Sequence, residues 1–283
     1  MLKFVVPIIV ILFIVSSTLS AQSSSKKEKY IHKFFSDKPS IELSYGLSNI
    51  KINTNSYGLA IAGLSELKLG LTRQYSSVYR KDVLYYHNRF LFLSYASSDN
   101  YAKSNNSGLQ NEMWRFGFGN KEGYGVKLGS VAILPYNSNS FAWSRFDYSK
   151  NNSVNADIDY SPLDNLYKTF RFGSTTEAGI DLQLAPGFSL QPKYEISDIY
   201  PRHLAGKQLM SSVIELSGLF LIDGFTKRIL RNKPVAGAFV NFILKNAYEY
   251  GFYQLRKNEM NWPFTSTAPL RYSTFKLGMA FTF

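Results

Sequence analysis

Cysteine is absent from the 283 residues. That excludes a disulfide framework, a thiolate metal site and an acylated cysteine as a lipid tether. Histidine is nearly absent as well: the chain has 3, at His32, His87 and His203. None sits in a metal-ligand spacing, and neither His-Glu-x-x-His nor His-x-His occurs. No RNP, zinc-finger or basic-helix pattern is present to read nucleic acid. After Val15, no apolar run is long and charge-free enough to cross a membrane as a helix. Repeats of fixed period are missing too.

The N-terminus supplies what the rest lacks. Lys3 gives a positive start, Phe4 to Val15 is apolar, and small residues follow. This is the layout of a secretory signal peptide, with cleavage expected near Ser20 or Ala21. A spanning anchor would need about 20 apolar residues. The chain is therefore expected to leave the cytoplasm. Residues 1–21 carry only Lys3, so the formal charge of +12 becomes 12 − 1 = +11. Outside the cytoplasm, a basic balance points to anionic surfaces such as lipid head groups rather than to nucleic acid. The 20 Tyr and 22 Phe agree, because aromatics gather at membrane interfaces.

Residues 22–39 read as a polar leader. Beyond it, apolar and polar residues alternate. Ile41, Leu43, Tyr45 and Leu47 oppose Glu42, Ser44, Gly46 and Ser48, and Leu67, Leu69 and Leu71 oppose Glu66, Lys68, Gly70 and Thr72. Successive strand side chains point to opposite faces, so each such segment has one greasy and one polar face. About eight strands are expected, near 40–52, 58–76, 83–97, 112–120, 123–132, 168–185, 187–198 and 270–283. The glycines of "FGFGNKEGYG" are read as a hairpin around Asn-Lys-Glu-Gly, not as a phosphate loop, since no Gly-Lys-Ser/Thr follows. Residues 133–167 are read as a long loop. The expected fold is mainly β: an antiparallel transmembrane barrel, greasy outside and polar inside. A sandwich gives the same alternation, but inward charges of both signs and an aromatic outer band decide against it.

The last strand reads "FKLGMAFTF", with Phe275, Leu277, Met279, Phe281 and Phe283 on one parity. With the N-terminal segment and the alternating strands, this resembles bacterial outer-membrane β-barrel proteins as an architectural class. The resemblance implies a Gram-negative-type outer membrane. It also implies that Met279, Phe281 and Phe283 form an insertion address for the barrel-assembly machinery. The expected division is a signal peptide at 1–21, a leader at 22–39 and a barrel at 40–283. Inward positions assign Glu42, Lys68, Arg171, Glu177, Asp181, Lys193, Glu195 and Lys276 to the lumen, with Lys276 near Glu42 across the closing seam.

Residues 202–268 break the pattern. Leu209, Val213, Leu216, Phe220 and Ile229 recur at helical spacing, and Pro234 then starts a second stripe through Val235, Ala238, Phe239, Phe242 and Ile243. A helical hairpin over 202–257 is expected, inserted before the last strand. Its charges Glu215, Asp223, Lys227, Arg228 and Arg231 argue against deep burial in lipid. Val213, Leu216 and Phe220 are therefore expected to pack on Phe239, Phe242 and Ile243 over one barrel end.

Chemistry is sparse. Asp198 and His203 in "DIYPRH" are the one acid–histidine grouping a lipid-modifying enzyme could use, and a loop histidine beside a helix start accounts for it more simply. No cofactor is implied. The function read from the sequence is a non-enzymatic outer-membrane barrel with a structural or binding role at the cell surface. A small-solute pore and a lipid-modifying enzyme are the alternatives.

Overall fold

In the computed structural model, the described residues are 37–52, 59–77, 80–100, 109–149 and 161–283. The expected signal peptide and nearly all of the leader lie outside them. Eight strands close into one barrel, β1-β2-β3-β4-β5-β6-β7-β8. They are β1 (Lys38–Ile52), β2 (Ala62–Ser76), β3 (Val83–Ser97) and β4 (Asn111–Leu128), followed by β5 (Val131–Tyr148), β6 (Phe170–Ala185), β7 (Phe188–Ile199) and β8 (Leu270–Thr282). Each pairs antiparallel with its neighbour, and β8 returns to β1 with Tyr45 opposite Leu277. Closure removes every sheet edge and leaves no ladder group unpaired for want of a neighbour strand, which a lipid environment requires.

The connections are unequal. At one end β4 turns into β5 through Gly129 (φ 66°), and β6 into β7 through Gly187 (φ 77°). Both turns need the left-handed backbone that glycine adopts without cost. The other end carries the longer connections, including a one-turn helix α1 (Ser161–Asp164) and the hairpin helices α2 (Ala205–Asn232) and α3 (Pro234–Leu255).

Two sequence expectations are corrected here. The stretch Asn120 to Gly123 is no turn: β4 runs straight through it, with Lys121 opposite Ser138 and Gly123 opposite Tyr136. The presumed loop 133–167 contains most of β5. The alternation fails there because Pro135, Asn137 and Asn139 occupy outward positions, and a proline argues against an interior strand. The barrel does have eight strands, but β4 spans nearly all of the two strands expected near 112–120 and 123–132, and β5 lies mostly in the expected loop.

The layering is the reverse of a soluble protein's. Leu91, on the outer face of β3, is 65% exposed, whereas inward Lys276 is 0% exposed. Exposed Leu43, Leu69, Phe116, Leu277 and Phe275 continue a belt around the wall. Tyr75, Tyr85 and Tyr124 pack as tilted rings on the outside near the short turns, with ring centroids 5.0 and 5.1 Å apart. A continuous apolar wall with aromatic rows is what a transmembrane barrel shows the acyl chains. An eight-stranded barrel has an interior just wide enough for its own side chains. Here the long-loop end is filled by Leu64, Met113, Phe146, Leu163, Leu166, Leu270 and Tyr272. The short-turn end is filled by Leu84, Tyr86, Ala132 and Leu134.

Candidate functional site

Between those two apolar plugs lies a buried ion network. Glu42 meets Lys121 at 2.6 Å and also pairs with Lys193. Lys68 lies 3.0 Å from Glu177 and 3.5 Å from Glu66. Arg115 reaches Glu195 at 2.6 Å and Glu66 at 3.4 Å. Lys276 contacts Glu66 at 2.8 Å, Glu177 at 2.7 Å, and Glu195. Aromatic faces cover the cations: Phe90 lies 4.7 Å from Lys68, Tyr136 4.5 Å from Lys121, and Tyr272 4.9 Å from Arg115. Tyr136 also donates to Glu177 at 3.1 Å. Every carboxylate therefore has a cation and every cation an acid, the condition under which buried charge is tolerable.

Of the predicted lumen residues, Glu42, Lys68, Glu177, Lys193, Glu195 and Lys276 belong to this network, and Asp181 borders it, accepting from Gln191 at 2.8 Å. Arg171 does not join them. It sits at the long-loop rim and donates to the Asn165 carbonyl at 2.6 and 3.1 Å. The expected neighbour of Lys276 is also wrong: Gly46, not Glu42, lies opposite it on β1, and the long side chain crosses the lumen instead. Glu66, Arg115 and Lys121 were missed. Parity with Lys68 and Gly117 would have found the first two, while Lys121 was hidden in the supposed turn. Glu66, Glu177 and Glu195 come close enough to suggest a metal cage. The Lys276 ammonium stands among them, so they are already neutralised.

The helical hairpin is the second construction, and the structure revises its placement. It does not sit over a barrel mouth. From the long-loop end α2 descends and α3 climbs back along the outer wall. Lys245 of α3 donates to outward-facing Glu122 of β4 at 2.5 Å. The next residue, Asn246, accepts from Asn137 of β5 at 2.9 Å. Glu249 accepts from Asn139 at 2.8 Å and from Thr176 of β6 at 3.1 Å. Near the long-loop end, Arg271 of β8 donates to the Tyr253 carbonyl at 2.9 Å, with its guanidinium 3.5 Å from the Tyr253 ring centroid and 3.3 Å from Asp198. The polar outward residues that broke the β5 pattern are thus the ones α3 covers.

The two helices meet through polar and small residues. Arg256 forks onto Glu215 at 3.1 and 2.8 Å, Lys245 reaches Asp223 at 2.7 Å, and Asn241 donates to Thr226 at 3.0 Å. Tyr248 lies against Gly218 and Gly237 against Leu230, where a Cβ would have no room. The expected apolar interface is overturned. Val213, Leu216, Phe220, Phe239 and Ile243 are exposed, and Phe242 is half-buried. Small and polar side chains make the helix contacts instead, and the apolar stripes are left on the outside.

The remaining candidates are dispersed. Asp198 is buried beneath α3 while His203 is exposed, and among the described residues no hydrogen bond or ion pair joins them. Met279, Phe281 and Phe283 lie outward and exposed at the short-turn end of β8. Ahead of β1, Asp37 accepts from Arg73 at 2.7 Å, and that hydrogen bond holds its carboxyl below the usual carboxylate range.

No protein-family model and no curated protein matches this chain. Among solved structures, it is similar to the crystal structure of Neisserial surface protein A, at 9% identity, TM-score 0.39, with 87% of this chain and 97% of that one covered. It is also similar to the crystal structure of Ail, the attachment invasion locus protein of Yersinia pestis, at 9% identity and TM-score 0.35, with 87% and 99% covered. The same protein's structure in a phospholipid bilayer nanodisc gives 10% identity and TM-score 0.30, with 88% and 100% covered. At these scores the barrel assignment stands on this chain's own strand pairing.

Proposed function

We propose that this protein is a non-conducting, non-enzymatic barrel of a Gram-negative-type outer membrane. Its role is structural or binding, exercised at the cell surface through the long-loop end. The observation that carries this reading is the filled lumen: inward Lys276 is 0% exposed, and the ion network lies between two apolar plugs. A pore would need a continuous hydrated path, and a lipid-modifying enzyme would need Asp198 in reach of an accessible base. Reconstitution into planar bilayers tests the reading. Absence of single-channel steps is expected; steady ion conductance would overturn it in favour of the pore.

A further inference from the structure

Resting on the outer-membrane reading, we propose that the α2–α3 hairpin is itself embedded in the bilayer. On this view its outer face lies among acyl chains, and its tip binds the head groups of anionic phospholipids in the leaflet at the short-turn end. The sequence argued against lipid because Glu215, Asp223, Lys227, Arg228 and Arg231 interrupt α2, but the three cations lie past Thr226 and the two acids are paired across the hairpin. Glu215 is paired with Arg256, at the end of α3, and Asp223 with Lys245 of α3, which it shares with Glu122 of β4. No other charged residue occurs from Gln208 to Thr226. That stretch is about 28 Å long at helical rise, close to the roughly 30 Å of a bilayer's hydrocarbon core. Met210, Phe220, Leu221 and Phe225 project from it, Leu221 at 77% exposed. This face continues the apolar belt of the barrel, so one hydrocarbon layer covers both.

The charges resume where that layer would end. Lys227, Arg228, Arg231 and Lys233 crowd the turn between the helices, all exposed, and no acid occurs from Gly224 to Tyr248. Among the described residues, none of the four has an ion-pair partner in the protein. Because α3 climbs from this turn past Glu122 to Arg271, the turn sits at the short-turn end of the barrel. Cations grouped at a membrane surface attract anionic lipid, each worth about a fivefold gain in binding.

The lack of cysteine makes the test direct. Phe220→Cys on α2 and Leu91→Cys on β3 are spin-labelled separately and placed in phosphatidylcholine vesicles with and without phosphatidylglycerol. Both labels should be open to oxygen and shielded from a water-soluble nickel chelate. Water contact at 220 alone overturns the embedding; water contact at both overturns the barrel reading along with it. Dipolar broadening between labels at 220 means that a second copy covers the face, and also overturns it. For the tip, phosphatidylglycerol retained through detergent extraction is counted by native mass spectrometry. Replacing Lys227, Arg228, Arg231 and Lys233 by Gln together should lower retention by about tenfold or more, with heat-modifiable gel mobility confirming a folded barrel. Equal retention by a folded variant overturns the tip as a lipid site.

Discussion

Lys276 shows how one side chain organises the lumen. Its ammonium is shared among Glu66, Glu177 and Glu195. It gets there because position 46 is glycine: a Cβ at Gly46 would lie 2.6 Å from the Lys276 Cγ and would also strike the Phe275 carbonyl. Lys276→Leu keeps the volume and leaves three buried carboxylates short of a cation. The expected loss is about 3–5 kcal/mol, read as a lowered unfolding temperature in detergent. Lys81→Leu, at an exposed position, should change stability by no more than about 0.5 kcal/mol. Small and equal shifts would mean that water reaches position 276. Strand parity made most of these charges legible in the sequence, since an inward Lys or Glu is visible wherever its neighbours are greasy. Their partners were not legible. Ion pairs between long side chains cross the lumen, and their geometry depends on barrel shear rather than on which strands adjoin.

The hairpin and β5 explain each other at the scale of elements. Asn137 and Asn139 on the outside of a transmembrane barrel would leave amides in hydrocarbon, where each unsatisfied polar group costs several kcal/mol. With α3 in place they bond to Asn246 and Glu249. Both helices were legible as apolar recurrences with a proline start, and the break in the barrel pattern marked where they enter. Their orientation was not, because a greasy stripe reads the same whether it faces a partner or lipid. For the same reason β5 was lost: its outward face is polar only because a distant segment covers it. Replacing residues 204–257 by a Gly-Ser loop should therefore give a barrel that still pairs β7 with β8 but melts at a clearly lower temperature. Adding Asn137→Leu, Asn139→Val and Thr176→Val to that deletion should recover part of the loss. Undiminished stability after the deletion alone would show that the wall beneath α3 needs no cover.

For the molecule as a whole, what matters is where its polar groups are placed. Charges fill the barrel, a polar seam joins the hairpin to the wall, and exposed Leu43, Leu69, Leu91, Phe116 and Phe275 form the outer belt. Each boundary is set against the opposite solution: a one-residue slip in β2 would turn Glu66 and Lys68 into lipid, and one in β7 would do the same with Lys193 and Glu195. Heat-modifiable migration on unboiled gels should accompany this closure, and recovery as a detergent-free soluble monomer would contradict it. The same arrangement separates two ways of being sealed. If the hairpin closed the barrel as a plug, cutting it out would open a pore. Its contacts run to outward residues Glu122, Asn139, Thr176 and Arg271, while the lumen is closed by Leu64, Phe146, Leu163 and Tyr272 above the ion network. The hairpin-deleted barrel should therefore be less stable yet remain electrically silent in planar bilayers. Current through that variant, with the intact chain silent, would place the hairpin in the permeation path and overturn its assignment to the outer wall.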